Sequence, residues 1–320
     1  MGGISMLRRV LVALVALSIN LALVAAPAAA TKPPRVMAAL GDSITRAYNT
    51  SGPGCPSGPG LDCPQNSWAT GTNPLVNSVR ERLDAMHPGP LVAYNDAVSG
   101  ARAVHLPGQA QVAAGQDPDF VLIQIGANDA CAPTPTPTAT FRSQVRAALE
   151  TLVAANRKVY IQLMSIPDIN QLHAIFTSPP DPNALTRWSL FGVCQGLLAN
   201  PLSTAPADEE RRAAFRAQVI AYNEALEDVC AEFKRCRWDD YAVFDTRFTT
   251  ADVANVFNTA GLNIPPFNQI PVFGGGNPNS SADYFHPSVA GQARLADAAW
   301  SATFRDWQKR KGGGAKVKVR

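Results

Sequence analysis

The chain has 320 residues, 46% of them hydrophobic and 17% charged, with a formal charge of +3 that is unevenly placed. Arg8 and Arg9 sit in an N-terminal leader and Lys309, Arg310, Lys311, Lys316, Lys318 and Arg320 in an acid-free tail; without these eight residues the formal charge falls from +3 to −5. That excludes a basic nucleic-acid footprint on the folded part, and no stretch after the leader is apolar enough to span a bilayer.

In chain order, Arg8 and Arg9 precede an apolar run from Val10 to about Val24, followed by APAAA. This is the layout of a secretory signal peptide over residues 1–30, with small residues Ala28 and Ala30 at the cleavage site. The run is shorter than the roughly 20 residues a membrane span needs, so cleavage after Ala30 and secretion are expected, with an uncleaved anchor as the alternative. Residues 31–308 are expected to form one folded domain and residues 309–320 a solvated basic tail. Six cysteines in an exported chain imply three disulfides. Their spacing suggests nearest-neighbour pairs, Cys55 with Cys63, Cys131 with Cys194 and Cys230 with Cys236. With no CxxC pair, no HExxH and four scattered histidines, no metal site is expected.

Short apolar runs at Arg35 to Leu40, Leu91 to Val98, Phe120 to Ile125, Val159 to Ile166 and Tyr241 to Phe244 read as buried strands. Between them, Phe141, Val145, Ala148 and Leu152, and then Phe215, Val219, Tyr222, Leu226, Val229 and Phe233, recur at helical spacing. A last helix is expected over 287–307, Pro287 suiting its first turn. This alternation predicts a mostly parallel sheet covered by helices on both faces. Such sheets bind ligands beyond the carboxyl ends of their strands. Three long loops run over 50–74, over APTPTPTAT, whose prolines at 133, 135 and 137 forbid regular helix, and over 249–281. An apolar cluster between the fourth and fifth strands, Leu172, Ile175, Phe176, Trp188, Leu190, Phe191, Leu197 and Leu198, reads as helix core in preference to an acyl-chain groove.

The first three strands each end in a short polar segment. GDS at 41–43 turns sharply at Gly41 and presents Ser43 at a strand-to-helix junction with its amide free. Ser99–Gly100 offers an amide with no side chain to block a ligand. GAND at 126–129 offers the Asn128 side-chain amide, with Asp129 expected to fix the turn. Donors from Ser43, Gly100 and Asn128 are placed to converge on one developing oxyanion. A serine hydroxyl needs a base, and DYFH supplies His286 with Asp283 three residues before it to orient the imidazole. A helix N-terminus nearby would disfavour the imidazolium and Asp283 would favour it, a contest sequence leaves open. His87, His105 and His173 read as surface or structural. Each segment alone is weak, since GDS also makes a helix cap and GAND an ordinary turn. Their occurrence together and in this order, in a chain without a GxSxG elbow, is what carries weight.

These four segments resemble the blocks of the SGNH or GDSL hydrolase family, with Ser43, Gly100, Asn128 and His286 as its four letters and Ile44 in place of the usual Leu. DCPQNSWATGTN at 62–73, AYNDAVSGA at 93–101 and IGANDAC at 125–131 are similar to its phospholipase B-like branch. The resemblance implies a three-layer α/β/α fold with a five-stranded parallel sheet in order 2-1-3-4-5, without cofactor or metal. It implies Ser43 as nucleophile, His286 as base, Asp283 as its orienting acid, and an oxyanion hole of Ser43, Gly100 and Asn128. The expected activity is that of a secreted carboxylic ester hydrolase, a lipase or phospholipase, monomeric and in transient contact with lipid surfaces. A carbohydrate O-acetyl esterase is the enzymatic alternative. A non-catalytic surface protein on the same fold is disfavoured because no nucleophile, base or donor is missing.

Overall fold

The computed structural model describes residues 33–303 apart from 53, 57–59, 87–88 and 254–282, so the expected leader, the basic C-terminal residues and most of the third loop lie outside the described residues. Strands β1 (Val36–Gly41), β2 (Val92–Asn95), β3 (Phe120–Gln124), β4 (Tyr160–Leu163) and β5 (Cys236–Trp238) form one sheet of order β2-β1-β3-β4-β5, parallel at every pairing. Its centre is β1 and β3, both almost wholly buried, which is why they read as unbroken apolar runs. Gly41 lies opposite Gln124, so these two chains leave the sheet side by side.

The fifth strand is not where the apolar pattern placed it. Tyr241 to Phe244 is a turn, folded around Asp239, whose carboxylate accepts the amides of Tyr241 (3.2 Å) and Val243 (3.0 Å) and the Ser165 hydroxyl (2.7 Å). The edge strand is instead Cys236–Trp238, which among the described residues pairs with β4 alone. An edge strand buried mainly through Trp238 needs no continuous apolar run, so its sequence carries little strand signal.

The helices are α1 (Val79–Asp84), α2 (Leu106–Ala114), α3 (Ala127–Cys131), α4 (Thr138–Ala155), α5 (Gln171–Thr177), α6 (Pro182–Leu190), α7 (Gln195–Leu198), α8 (Pro206–Ala231), α9 (Thr250–Val253) and α10 (Val289–Ala302). They cover both faces of the sheet. On one, α4 packs between α2 and α8; on the other, α1 packs against α10, which β4 holds through Gln162 Nε2 donating to the Ala299 carbonyl at 3.0 Å. Helix α4 starts directly after Pro137, the last of the three spaced prolines, and buries Phe141, Val145, Ala148 and Leu152. The last helix begins not at Pro287 but behind Ser288, whose hydroxyl accepts the Gly291 amide at 3.2 Å, because a side-chain acceptor is what the first free amides require.

Three disulfides join Cys55 to Cys63, Cys131 to Cys194, and Cys230 to Cys236. The second ties the end of α3 to the start of α7 and the third the end of α8 to β5. No helix among the described residues is long and apolar enough to cross a membrane.

Candidate active site

The site is assembled where β1, β2 and β3 end. Gly41 has φ 147°, and a Cβ there would lie 2.2 Å from the Gln124 carbonyl oxygen, so no other residue lets the chain leave the sheet at this point. Gln109 of α2 secures the same residue twice, donating to its carbonyl and accepting from its amide at 2.8 Å each. Beyond Gly41 the chain does not enter a regular helix as expected. Residues 42–49 instead form consecutive turns in which Asp42 O accepts from Arg46 (3.1 Å) and Ser43 O from Tyr48 (3.0 Å). Ser43 is 6% exposed at their start.

The Val98 amide donates to the Gly41 carbonyl at 3.1 Å and carries the Ser99–Gly100 turn beside Ser43. Gly100 has φ 81°, and a Cβ built on it meets no atom within 4 Å, so open space lies beside this residue. The amides of Ser43 and Gly100 donate to no described residue. Asn128, in the first turn of α3, spends one of its two side-chain N–H groups on the Ala101 carbonyl at 3.0 Å, which ties GAND to the Gly100 segment. Asp129 makes a second tie, its carboxylate accepting the Ala103 amide (2.9 Å) and the Thr136 hydroxyl (2.7 Å). Burial pushes that carboxyl up, and the two hydrogen bonds oppose it.

The fourth segment comes from outside the sheet. Asp283 Oδ1 accepts the amides of Phe285 (3.0 Å) and His286 (2.9 Å), which closes the turn, and Oδ2 accepts from His286 Nδ1 at 2.5 Å. His286 Nε2 is then 2.7 Å from Ser43 Oγ. Ser43, His286 and Asp283 are thus joined in one hydrogen-bonded chain. Burial alone would raise Asp283, but the facing imidazole and the two amides outweigh it and hold the carboxyl well below the usual carboxylate range. Burial alone would lower His286, but Asp283, with smaller help from Asp42 and Asp62, raises it above its ordinary value. Carboxylates therefore outweigh burial at this imidazole.

Several residues that shape this turn carried no signal of their own. Tyr284, at φ 55°, is gripped by α5 and α6. Trp188 Nε1 donates to its carbonyl at 3.3 Å, Phe176 meets its ring edge-on at 5.3 Å, and the Arg187 guanidinium lies 5.3 Å over the ring. Of the apolar cluster, Phe176, Trp188, Leu197 and Leu198 are core and Ile175 is partly buried against it; Leu172 is buried but lines a small cavity, and Leu190 and Phe191 are exposed. The Tyr48 ring sits 4.8 Å from the imidazole. Asp62, on the Cys55–Cys63 loop, accepts from Arg46 Nε at 3.0 Å and Ser99 Oγ at 2.5 Å and so links the Ser43 and Gly100 segments. Buried Asp42, beside Ser43, is pushed up to about 7 by burial, with Asp129 adding and the Ile44 amide and His286 opposing. Its position in GDS was the only available sign.

A small apolar cavity of about 30 Å³ is lined by Ile44, Ile169, Leu172, Phe248, Phe285 and Pro287, the chain neighbours of Ser43 and His286 among them. Of the other histidines, His105 accepts the Arg102 amide at 3.0 Å and His173 Nε2 bonds the Pro201 carbonyl at 2.7 Å; His87 lies outside the described residues. Among the described residues no three His, Cys, Asp or Glu side chains are gathered so as to hold a metal ion.

Residues 37–299 match the sequence profile of the GDSL-like Lipase/Acylhydrolase family, a span that includes all four segments. The chain belongs to this family of hydrolases. No curated protein sequence matches the chain. Among solved structures, the GDSL hydrolase described here is similar to TesA, at 17% identity over 85% of this chain and 99% of that one, TM-score 0.44. It is similar also to the psychrotrophic esterase EstA from Pseudoalteromonas sp. inhibited by monoethylphosphonate, at 15% identity over 86% and 98%, TM-score 0.44. A third is an active-site mutant of a family two carbohydrate esterase from Clostridium thermocellum, at 14% identity over 87% and 66%, TM-score 0.46.

Proposed function

We propose that this GDSL hydrolase is a secreted serine esterase that cleaves carboxylic esters of lipids through an acyl-enzyme on Ser43. The observation that carries the reading is the hydrogen-bonded chain from Asp283 Oδ2 through both nitrogens of His286 to Ser43 Oγ, at 2.5 and 2.7 Å. His286 takes the hydroxyl proton on Nε2 as Oγ bonds to the ester carbonyl carbon, and the carbonyl electron pair moves onto oxygen. The amides of Ser43 and Gly100 and the second N–H of Asn128 receive that oxyanion. Collapse of the intermediate expels the alcohol, which takes the proton from Nε2; a water molecule then repeats the sequence and frees the acid. Asp283 stays ionised throughout and holds the imidazolium.

The apolar cavity beside Ile44 and Phe285, and the exposed valines 98, 104 and 112 around the Gly100 turn, favour an ester with an apolar group, a lipase or phospholipase B-like substrate. The smallness of that apolar cavity favours the alternative, an acetyl ester of a carbohydrate, while the larger open pocket at Val98, Ser99, Gly100 and Val112 leaves room for a bulkier group. Three disulfides support export to an oxidising compartment. A fluorophosphonate probe is expected to label the purified protein and not its Ser43→Ala variant. Ester hydrolysis that survives unchanged in Ser43→Ala would end the proposal. Release from phosphatidylcholine, long-chain nitrophenyl esters and acetylated xylan separates the two substrate readings.

A further inference from the structure

The proposed acid of the relay has another side-chain partner, outside its own turn. Asn49 Nδ2 donates to Asp283 Oδ2 at 2.7 Å, the same oxygen that accepts from His286 Nδ1. The amide is held in that orientation from behind, because Asn49 Oδ1 accepts the Gly60 amide at 2.6 Å, and only an oxygen accepts there. The Asn49 main chain is fixed as well, its amide donating to the Leu61 carbonyl at 2.8 Å. At φ 60° the residue occupies a conformation that Asn tolerates better than most. Gly60 and Leu61 lie on the loop closed by Cys55–Cys63, and Asn49 lies on the turns that begin at Ser43. The nucleophile's own segment therefore reaches across to the carboxylate that orients the base, 234 residues away in sequence.

Resting on the serine-esterase reading, we infer that Asn49 is a positioning residue for that reaction: its amide fixes the Asp283 carboxylate plane so that Oδ2 aligns the His286 imidazole toward Ser43. The second hydrogen bond to Oδ2 also supports the ionised carboxylate in a buried place, where an acceptor left without a donor is costly. Among the described residues, charged and titratable groups that face the pair include Asp42 and Tyr48 on the Ser43 segment, Asp62 on the disulfide loop and Arg187 on α6. Asn49 is neutral and donates to Asp283 directly, so exchanging it for a carboxylate alters the local charge with almost no change of shape.

Two variants test this, each read by ester turnover against pH and by melting temperature. Asn49→Gly keeps the positive φ and removes the donor; kcat is expected to fall roughly ten- to a hundredfold with KM held, since base alignment and not substrate binding is lost. Asn49→Asp keeps the shape and sets a second negative charge beside Asp283; the acid limb of kcat/KM is expected to rise by about one pH unit, because added negative charge favours the imidazolium. An acid limb that stays at the wild-type position in Asn49→Asp, with losses in either variant that only follow the melting temperature, would make Asn49 structural and overturn the inference. A wild-type protein that neither hydrolyses esters nor takes the fluorophosphonate would instead overturn the esterase reading itself.

Discussion

The Ser43 side and the His286 side of the candidate site are built by different means. Ser43, Gly100 and Asn128 each follow a strand, and the ladder β2-β1-β3 sets their mutual positions before any side chain acts. The Asp283–His286 turn belongs to no strand. It is held by Trp188, Phe176 and Arg187 on one side, by Asn49 on another, and by Ser288, whose amide donates to the Asp252 carbonyl at 2.7 Å. Backbone hydrogen bonding places one half, and side chains from distant parts of the sequence place the other. Damage to the first half should therefore appear in the chemistry of the oxyanion, and damage to the second in base alignment and pH dependence.

The largest separating effect is expected from Asp283→Asn, which removes the carboxylate while keeping its size. A loss of kcat on the order of ten-thousandfold is expected, as for other triads that lose the correct imidazole tautomer. A loss under tenfold in single-turnover assays would mean that the turn orients His286 without its acid. Asn128→Ala removes one proposed oxyanion donor and should cost about a hundred- to a thousandfold in kcat with KM little changed. Because the same variant frees the Ala101 carbonyl, melting temperature should be recorded alongside; a thermal change without a kinetic one would place Asn128 in the scaffold alone.

Smaller effects probe the support of the base. The acid limb of kcat/KM should lie above 6.5, the ordinary value of a histidine, because the base must be neutral and its surroundings raise its pKa. Activity is then full above the raised value and is lost as pH falls through it. In Asp283→Asn, where the main raising charge is gone, that limb should move down; a limb at or below 6.5 in the wild type would contradict the electrostatic account. Trp188→Phe removes the indole N–H that holds the Tyr284 carbonyl and also shrinks a fully buried ring, so it should lower the melting temperature and slow kcat by less than about tenfold. No effect on either turnover or melting would show that ring packing against Phe176 suffices.

How much of this was legible beforehand follows the same division. β1 and β3 were readable because strands buried on both faces must be continuously apolar, and the long stripe of α8 because one face of a helix repeats near every fourth residue. The edge strand Cys236–Trp238 was not, since it pairs with β4 alone, and the apolar residues of 241–244 drew the assignment to a turn. Ser43, Gly100, Asn128, Asp283 and His286 were singled out through type and order, and the hydrogen bonds of Ser43, His286 and Asp283 and of Asn128 bring their segments together. Asn49, Asp62 and Tyr48 were not singled out, because a polar or aromatic residue in a Gly- and Pro-rich stretch looks alike whether it faces solvent or a carboxylate.

The sequence by itself determined the strand-helix alternation, the polar segments at the strand ends and the occurrence in order of a serine, a histidine and side chains able to donate, since these depend on local periodicity and on chemical type. Only the tertiary structure decided that His286 Nε2 meets Ser43 Oγ at 2.7 Å, that Asp283 remains a carboxylate in a buried place, and that Asn49 holds it. Those outcomes depend on distances between residues more than two hundred positions apart and on the competition between burial and nearby charge, and neither exists until the chain is folded.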